Sequence, residues 1–186
     1  HQCVNYGVLM KYYGQVVDIL KGESDRGAVL IAASMIDVAL ENLIKEKLVD
    51  SDKKRDPIFE HNGSLGTFSS KIEMSYRLGL ITSKQQLMFN TFRKLRNVFA
   101  HSSTPLSLDD GPIRDQLEAV FTHNPELKNL YIDAVQATNK HHNISPEDTN
   151  NTLRSGRFLL NMVFSLEILK LTNARDSVAK LKRNDG

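Results

Sequence analysis

The segment AVLIAASMIDVAL, residues 28–40, is apolar on almost every side of a helix. A surface helix carries one apolar stripe, whereas a helix that is hydrophobic nearly all round lies inside a bundle. The few polar positions, Ser34, Asp37 and Glu41, are three and four residues apart and therefore form one narrow line. The sequence predicts a central helix over 26–49 whose polar line meets either solvent or a buried polar partner.

Further helices are predicted on both sides of this segment, and no alternating strand pattern of any length occurs. Asp25 is the expected cap of the central helix, because Asp is a favoured residue at a helix start. The sequence predicts about seven helices in an all-α, multi-helix bundle that forms a single domain over 1–186, with a frayed tail over 178–186. The expected helices besides the central one cover 4–21, 65–78, 84–101, 113–121, 126–140 and 145–173, with loops at 50–57 and 102–112.

Composition limits the class of protein without naming a function. The chain has 186 residues, of which 40% are apolar, and 24 Lys and Arg against 22 Asp and Glu give a net charge of +2. One cysteine excludes a disulfide scaffold, and the lack of an apolar run of roughly 18 residues argues against a membrane-spanning protein. The lone Cys3 cannot form an intrachain disulfide, which is typical of a reducing, cytoplasmic compartment.

The stretch FRKLRNVFAH, residues 92–101, is the sharpest candidate for a functional site. The spacing predicts an apolar seam of Phe92, Leu95 and Phe99 on this helix. Arg96 flanks that seam, and a buried guanidinium needs a carboxylate, a phosphate or a second subunit beside it. The acids of the central helix, Asp37 and Glu41, are the candidate partners within the chain. The predicted binding residues are therefore Arg96, Asp37 and Glu41, together with the neighbouring Arg93.

Two interpretations of Arg96, Asn97 and His101 remain open. In the structural one, Arg96 forms an ion pair and His101 is a cation that the helix dipole favours at a C-terminus. In the chemical one, Arg96 binds a phosphodiester, and His101 deprotonates a ribose hydroxyl or protonates a leaving group. Charged helix faces are more often structural than catalytic, which favours the first interpretation.

Several short motifs occur together in a recognisable order. They are AASMIDVAL (32–40), NGSLGTFSSKI (62–72), YRLGLI (76–81) and LRNVFAH (95–101). This series resembles the mannitol operon repressor (MltR-like) family, and the resemblance covers about half of the chain, residues 26–117. It implies a bacterial, cytoplasmic, all-α transcriptional regulator that forms a dimer, and it does not imply DNA contact by this chain.

The run Arg-Asn-x-x-x-His is also similar to the signature of the HEPN superfamily of small helical dimers. That resemblance implies a metal-independent endoribonuclease in which Arg96 and His101 are catalytic, Asn97 supports them, and two subunits share the cleft. The superfamily also includes binding modules without catalysis, so the motif leaves the chemistry open.

Direct DNA binding and metal binding are not expected. No helix-turn-helix with a basic recognition helix is visible, and a net charge of +2 does not favour tight binding to a duplex. Gly63 and Gly66 lack the Lys-Ser/Thr of a phosphate loop and indicate a turn. His141 and His142 are adjacent and point to different faces of a helix, so no metal or other cofactor is predicted.

The residues, taken with the MltR-like resemblance, favour a regulatory module that works through a protein partner, without membrane attachment or tight DNA binding, and the resemblance implies that it is a dimer. The alternative is a HEPN-type endoribonuclease using Arg96 and His101, for which RNA is the substrate.

Overall fold

The computed structural model describes residues 6–122, 124–142, 145, 147–148, 151 and 155–183, and Cys3 lies outside them. Within this part of the chain the secondary structure is helical, with no strand, so the all-α prediction is confirmed. The α-helices with defined bounds are α1 (Tyr6–Leu20), α2 (Asp25–Lys47), α3 (Phe68–Arg77), α4 (Ser83–His101), α5 (Gly111–Thr122), α6 (Pro125–His142) and α7 (Gly156–Arg175). A 3-10 turn covers Pro57–Phe59 in the long connection between α2 and α3.

Helix α2 forms the centre of the bundle, as its composition predicts. It packs against α3, α4 and α7. Its buried residues are Ala28, Val29, Ala32, Ala33, Ile36, Leu40, Leu43 and Ile44. Neighbouring helices do not cover the whole circumference, because Ser34 and Val38 remain exposed on the outer side.

By length and mean hydropathy, α2 also meets the criteria for a membrane-spanning helix. The sequence shows no uninterrupted apolar run of that length because Asp37 and Glu41 fall inside it, whereas an average over the segment tolerates two acids. In the structure one side of α2 is buried against α4 and α7, which is the position of a core helix.

The cap of α2 differs by one residue from the predicted cap. Ser24, rather than Asp25, caps α2, since its hydroxyl accepts a hydrogen bond from the backbone N–H of Gly27 at 3.1 Å. Thr82 caps α4 and forms a capping box with Gln85, in which each side chain accepts from the other residue's backbone N–H. The prediction that Asp25 caps α2 is therefore wrong, and the Asp25 carboxylate contacts Arg157 and the Leu108 N–H instead.

The helix predicted over 145–173 is not one continuous element. Residues 147, 148 and 151 are helical behind Ser145, whose hydroxyl accepts from the Asp148 N–H at 3.1 Å, whereas α7 begins at Gly156 behind its own cap, Ser155. The carboxylate of Asp109 accepts a hydrogen bond from the Gly156 N–H at 2.6 Å. A Cβ at Gly156 would overlap the backbone oxygen of Leu108, so this close approach of loop and helix requires glycine.

Arg157 links the N-terminal ends of α2 and α7. Its guanidinium lies 3.0 Å from the carboxylate of Asp25 and also donates to the backbone oxygens of Leu20 and Glu23. The other carboxylate oxygen of Asp25 accepts from the backbone N–H of Leu108 at 2.8 Å. This cluster fixes the loop after α4 against two helix starts.

Gly63 and Gly66 form the turn that their spacing predicts. A Cβ at Gly63 would overlap the backbone oxygens of Pro57 and Ile58, and one at Gly66 would overlap that of Glu60. The loop therefore approaches the 3-10 turn so closely that a residue with a side chain would not fit in place of either glycine.

The described part of the predicted frayed tail, residues 178–183, runs beside the end of α2. The Leu181 N–H donates to the Lys47 oxygen at 2.8 Å. Lys180 pairs with Asp50 at 2.5 Å, while Arg183 pairs with a second acid of the same loop. These exposed ion pairs each stabilise the fold only slightly.

Candidate functional site

Helix α4 carries the residues that the sequence singles out. Its buried face is apolar and packs against α2, α3 and α5. The buried residues are Met88, Phe89, Phe92, Leu95 and Phe99, which confirms the predicted seam. No described helix packs on the opposite side, where Leu87, Lys94 and Val98 are exposed.

The predicted catalytic residues lie at the C-terminal end of α4. Arg96 and His101 are both exposed, and Asn97 is half-buried between them. The Arg96 guanidinium donates to the side-chain oxygen of Asn97 at 3.1 Å. Five residues separate Arg96 from His101, which places them roughly 140° apart around the helix axis. Within one chain the two side chains therefore leave α4 in different directions.

The predicted pairing of Arg96 with the acids of α2 is wrong. Lys71 of α3 occupies that place: its Nζ lies 2.7 Å from Glu41 and 3.1 Å from Asp37. Lys71 is 4% exposed, whereas Arg96 lies in solvent and forms no ion pair with any described residue. The two acids of the polar line of α2 thus meet a buried lysine from α3, whereas Ser34 lies on the exposed outer side.

The charges of this cluster support one another. Burial alone would raise the pKa of Glu41, but hydrogen bonds from Lys45 and Lys71 outweigh burial and hold it below its usual value. Burial alone would lower the pKa of Lys71, and its bonds to Glu41 and Asp37 raise it instead. Both groups are therefore stabilised in their charged forms.

Sequence reasoning missed Lys71, although one signal was present. Lys71 directly precedes Ile72 and follows Phe68 by three residues, so it lies on the side of α3 that carries the apolar residues. A lysine in that position requires an acid on the helix opposite.

Helix α4 is basic along its length. It contains Lys84, Arg93, Lys94 and Arg96 and no aspartate or glutamate. The Arg93 guanidinium donates to the side-chain oxygen of Asn90 at 3.3 Å, so its contact, like that of Arg96, is with an amide. Helix α4 is suited to binding an anionic surface, because no acid within the helix neutralises its positive charges.

An open, apolar groove of about 380 Å³ runs between α2 and α7. Val38 is the most exposed hydrophobic residue on its floor, and no Asp, Glu, Lys or Arg lines it. The lining residues are Ile31, Ser34, Met35, Val38, Ala39, Asn42 and Ile168.

Two larger cavities are lined by charged residues of both signs. One, of about 450 Å³, lies beside the loop 48–60, and the other, of about 540 Å³, lies between α5 and α6. In the second, Arg114 pairs with Glu118 at 2.6 Å. Burial raises the pKa of the adjacent Tyr131 to about 12.

No group of three metal-ligating side chains occurs among the described residues. The structure does not describe the side chains of His141 and His142, the two adjacent histidines for which the sequence predicts no metal.

Comparison with known proteins gives one structural match. No protein-family model and no curated protein matches the chain. A chain of the MtlR–HPr complex from Escherichia coli, solved by X-ray crystallography, is similar with a TM-score of 0.52 and 18% sequence identity. The match covers 89% of this chain and 97% of that chain. At this identity the similarity shows an MtlR-like fold, and the HEPN resemblance finds no support in it.

Proposed function

We propose that this chain is a transcriptional regulator that acts as a dimeric protein-interaction module in the bacterial cytoplasm, without a DNA-binding element of its own. One observation carries the proposal: the fold extends over nearly the whole of a chain that was solved in complex with a second protein, HPr. The ordered family motifs, which cover α2, α3 and α4, support the same conclusion. A protein partner such as HPr is therefore the first ligand to test.

The distribution of charge supports a protein partner over duplex DNA. Binding to a duplex requires several phosphate contacts and strengthens with net positive charge, and this chain carries only +2. The most basic of the helices with defined bounds, α4, alternates cations with the exposed aliphatic residues Leu87 and Val98. Aliphatic side chains gain nothing from contact with a phosphate backbone.

We assign the uncharged groove between α2 and α7 to the second copy of the chain. Two copies with the same net charge approach most favourably where neither presents a charge, and the groove has no charged lining residue. Ile31, Met35, Val38 and Asn42 follow one another at steps of four, three and four, the spacing of a helix–helix seam. A polar Asn within such a seam favours one register.

Light scattering and gel shift test this proposal together. The purified chain is expected to have the mass of a dimer, and Val38→Glu is expected to make it monomeric. Ile19→Glu, an equally exposed aliphatic position on α1, is the matched control and should leave the dimer intact. Tight, sequence-specific binding to a DNA duplex at physiological salt by the isolated chain would overturn the proposal.

The alternative function, a HEPN-type endoribonuclease, is favoured by the accessibility of Arg96, Asn97 and His101. In that reaction His101 would take the proton of a ribose 2′-hydroxyl, whose oxygen attacks the phosphorus as the bond to the 5′-oxygen breaks, and the departing 5′-oxygen would take a proton from water. Arg96 would stabilise the charge on the phosphate. Cleavage should persist in EDTA and leave a 2′,3′-cyclic phosphate.

His101→Ala should abolish this cleavage, whereas His61→Ala, which alters an exposed histidine in a loop, should not. If a broad panel of RNAs stays intact, the alternative is wrong.

A further inference from the structure

The outward-facing side of α4 combines charge with exposed apolar surface. We call it the α4 face; it consists of Lys84, Leu87, Thr91, Lys94, Val98 and His101, which follow one another at alternating steps of three and four residues. Such steps keep side chains on one line of a helix. Leu87 is 49% exposed and Val98 44%, and the exposed Lys94 lies between them.

The charge on this helix is unbalanced. Every other helix with defined bounds contains at least one acid, whereas α4 contains four cations and none. Among the described residues, the acids that contact α4 accept from its glutamines, Glu73 from Gln86 and Glu167 from Gln85, and no ion pair to an α4 cation occurs. Asp37 and Glu41 of α2 pair with Lys71. Positive charge on α4 therefore remains available to an external partner.

We propose that the α4 face is the docking surface for an acidic protein partner, one whose carboxylates surround a small patch of aliphatic or aromatic residues. This inference rests on the proposed function and specifies the partner's surface. Leu87 and Val98 would bury apolar area against that patch, while Lys94 and its basic neighbours would meet the carboxylates. The aliphatic residues favour a protein over RNA, because a phosphate backbone offers nothing for them to contact.

The two kinds of residue have separable roles in this interface. Charges at the rim of an interface steer the encounter and fix its orientation, so they act mainly on the association rate and its salt dependence. Buried apolar residues act mainly on the dissociation rate. Replacing Lys94 should therefore slow association, and replacing Leu87 should speed dissociation.

A titration of the isotope-labelled chain with designed peptides tests this assignment. The probe is a helical peptide of leucine and glutamate with its leucines on one face, and the matched peptide has lysine in place of glutamate. The acidic peptide is expected to shift the backbone amide signals of residues 84–101, and the basic one is expected to leave them unchanged. Shifts confined to other helices, or equal effects of both peptides, overturn the inference.

Variants make the test specific. Lys94→Glu is expected to weaken acidic-peptide binding by about tenfold or more, because like charges then face each other. Leu87→Ser should weaken it as well. Lys128→Glu and Leu130→Ser, at exposed positions of the same residue types on α6, are the matched controls and should bind as the wild type does.

Two further outcomes separate this inference from the proposed function. Binding of HPr that is unchanged by Lys94→Glu would contradict the α4 assignment and leave the protein-interaction module intact. A short single-stranded RNA that shifts the amides of α4 more strongly than the acidic peptide would overturn the assignment in favour of nucleic acid.

Discussion

Lys71 Nζ lies 2.7 Å from Glu41 Oε2, and this contact neutralises the polar line of the central helix from inside the bundle. The lysine is almost fully buried, and the side chain of Glu41 is 23% exposed. A second lysine, Lys45, contacts the other oxygen of the same carboxylate from the solvent side at 2.6 Å. The two lysines thus hold the same acid in different surroundings.

Lys71→Met is expected to destabilise the protein by about 2–3 kcal/mol, because it leaves Asp37 and Glu41 partly buried without their internal cation. The measurement is the free energy of unfolding from urea denaturation. Lys45→Met is the matched control and should cost roughly 0–1 kcal/mol, since its charge is exposed to solvent. Equal losses of unfolding free energy for the two variants would show that the buried contact stabilises the protein no more than the exposed one.

Stability should fall in acid in part through Glu41. Its pKa is lower in the folded chain than in the unfolded one, so the unfolded state binds the proton more readily. The contribution is complete above the ordinary glutamate pKa of about 4.3 and is lost as the pH falls through the lower folded value.

Glu41→Gln should therefore lose less stability than the wild type when urea midpoints are compared at about pH 6 and about pH 3. Parallel curves for the two proteins would contradict this assignment of the acid sensitivity.

The contact between Arg157 and Asp25 should stabilise the folded chain against unfolding. Arg157→Met leaves the carboxylate of Asp25 half-buried and removes the donor to two backbone oxygens at the end of α1. We expect a loss of about 2 kcal/mol. Arg175→Met, which removes a more exposed pair with Glu46, should change the urea midpoint little.

Gly156→Ala is expected to destabilise the protein by about 1–3 kcal/mol, because the added methyl group meets the backbone oxygen of Leu108. Gly14→Ala provides the control: a Cβ there meets nothing, and alanine favours the helical conformation of α1. Thermal melting should thus move in opposite directions for the two variants. A neutral Gly156→Ala would mean that loop and helix can separate without cost.

The helices and their buried faces could be predicted from the sequence, because the spacing of apolar residues within a helix depends only on nearby residues. The run 28–40 is apolar on nearly every side and is central in the structure, and the residues Phe92, Leu95 and Phe99 form the buried seam of α4 as their spacing indicates. Neither prediction depends on knowing what lies opposite the helix.

The partners of charged groups were not predictable in the same way, since they come from distant segments. Ser24 and Asp25 are both good helix caps; Ser24 caps α2, and Asp25 instead contacts Arg157, which lies 132 residues further along the chain. Arg96 and Lys71 were both possible partners for the acids of α2. The packing of α3 against α2 brings Lys71 to them.

Calorimetric titration of the purified chain with HPr, from Escherichia coli and from the organism that encodes the chain, tests the central claim most directly. The account predicts a saturable complex at physiological salt, with no comparable heat when duplex DNA replaces HPr. Tight, sequence-specific binding of the duplex, with no saturable complex with either HPr, would contradict the claim that this chain acts through a protein partner.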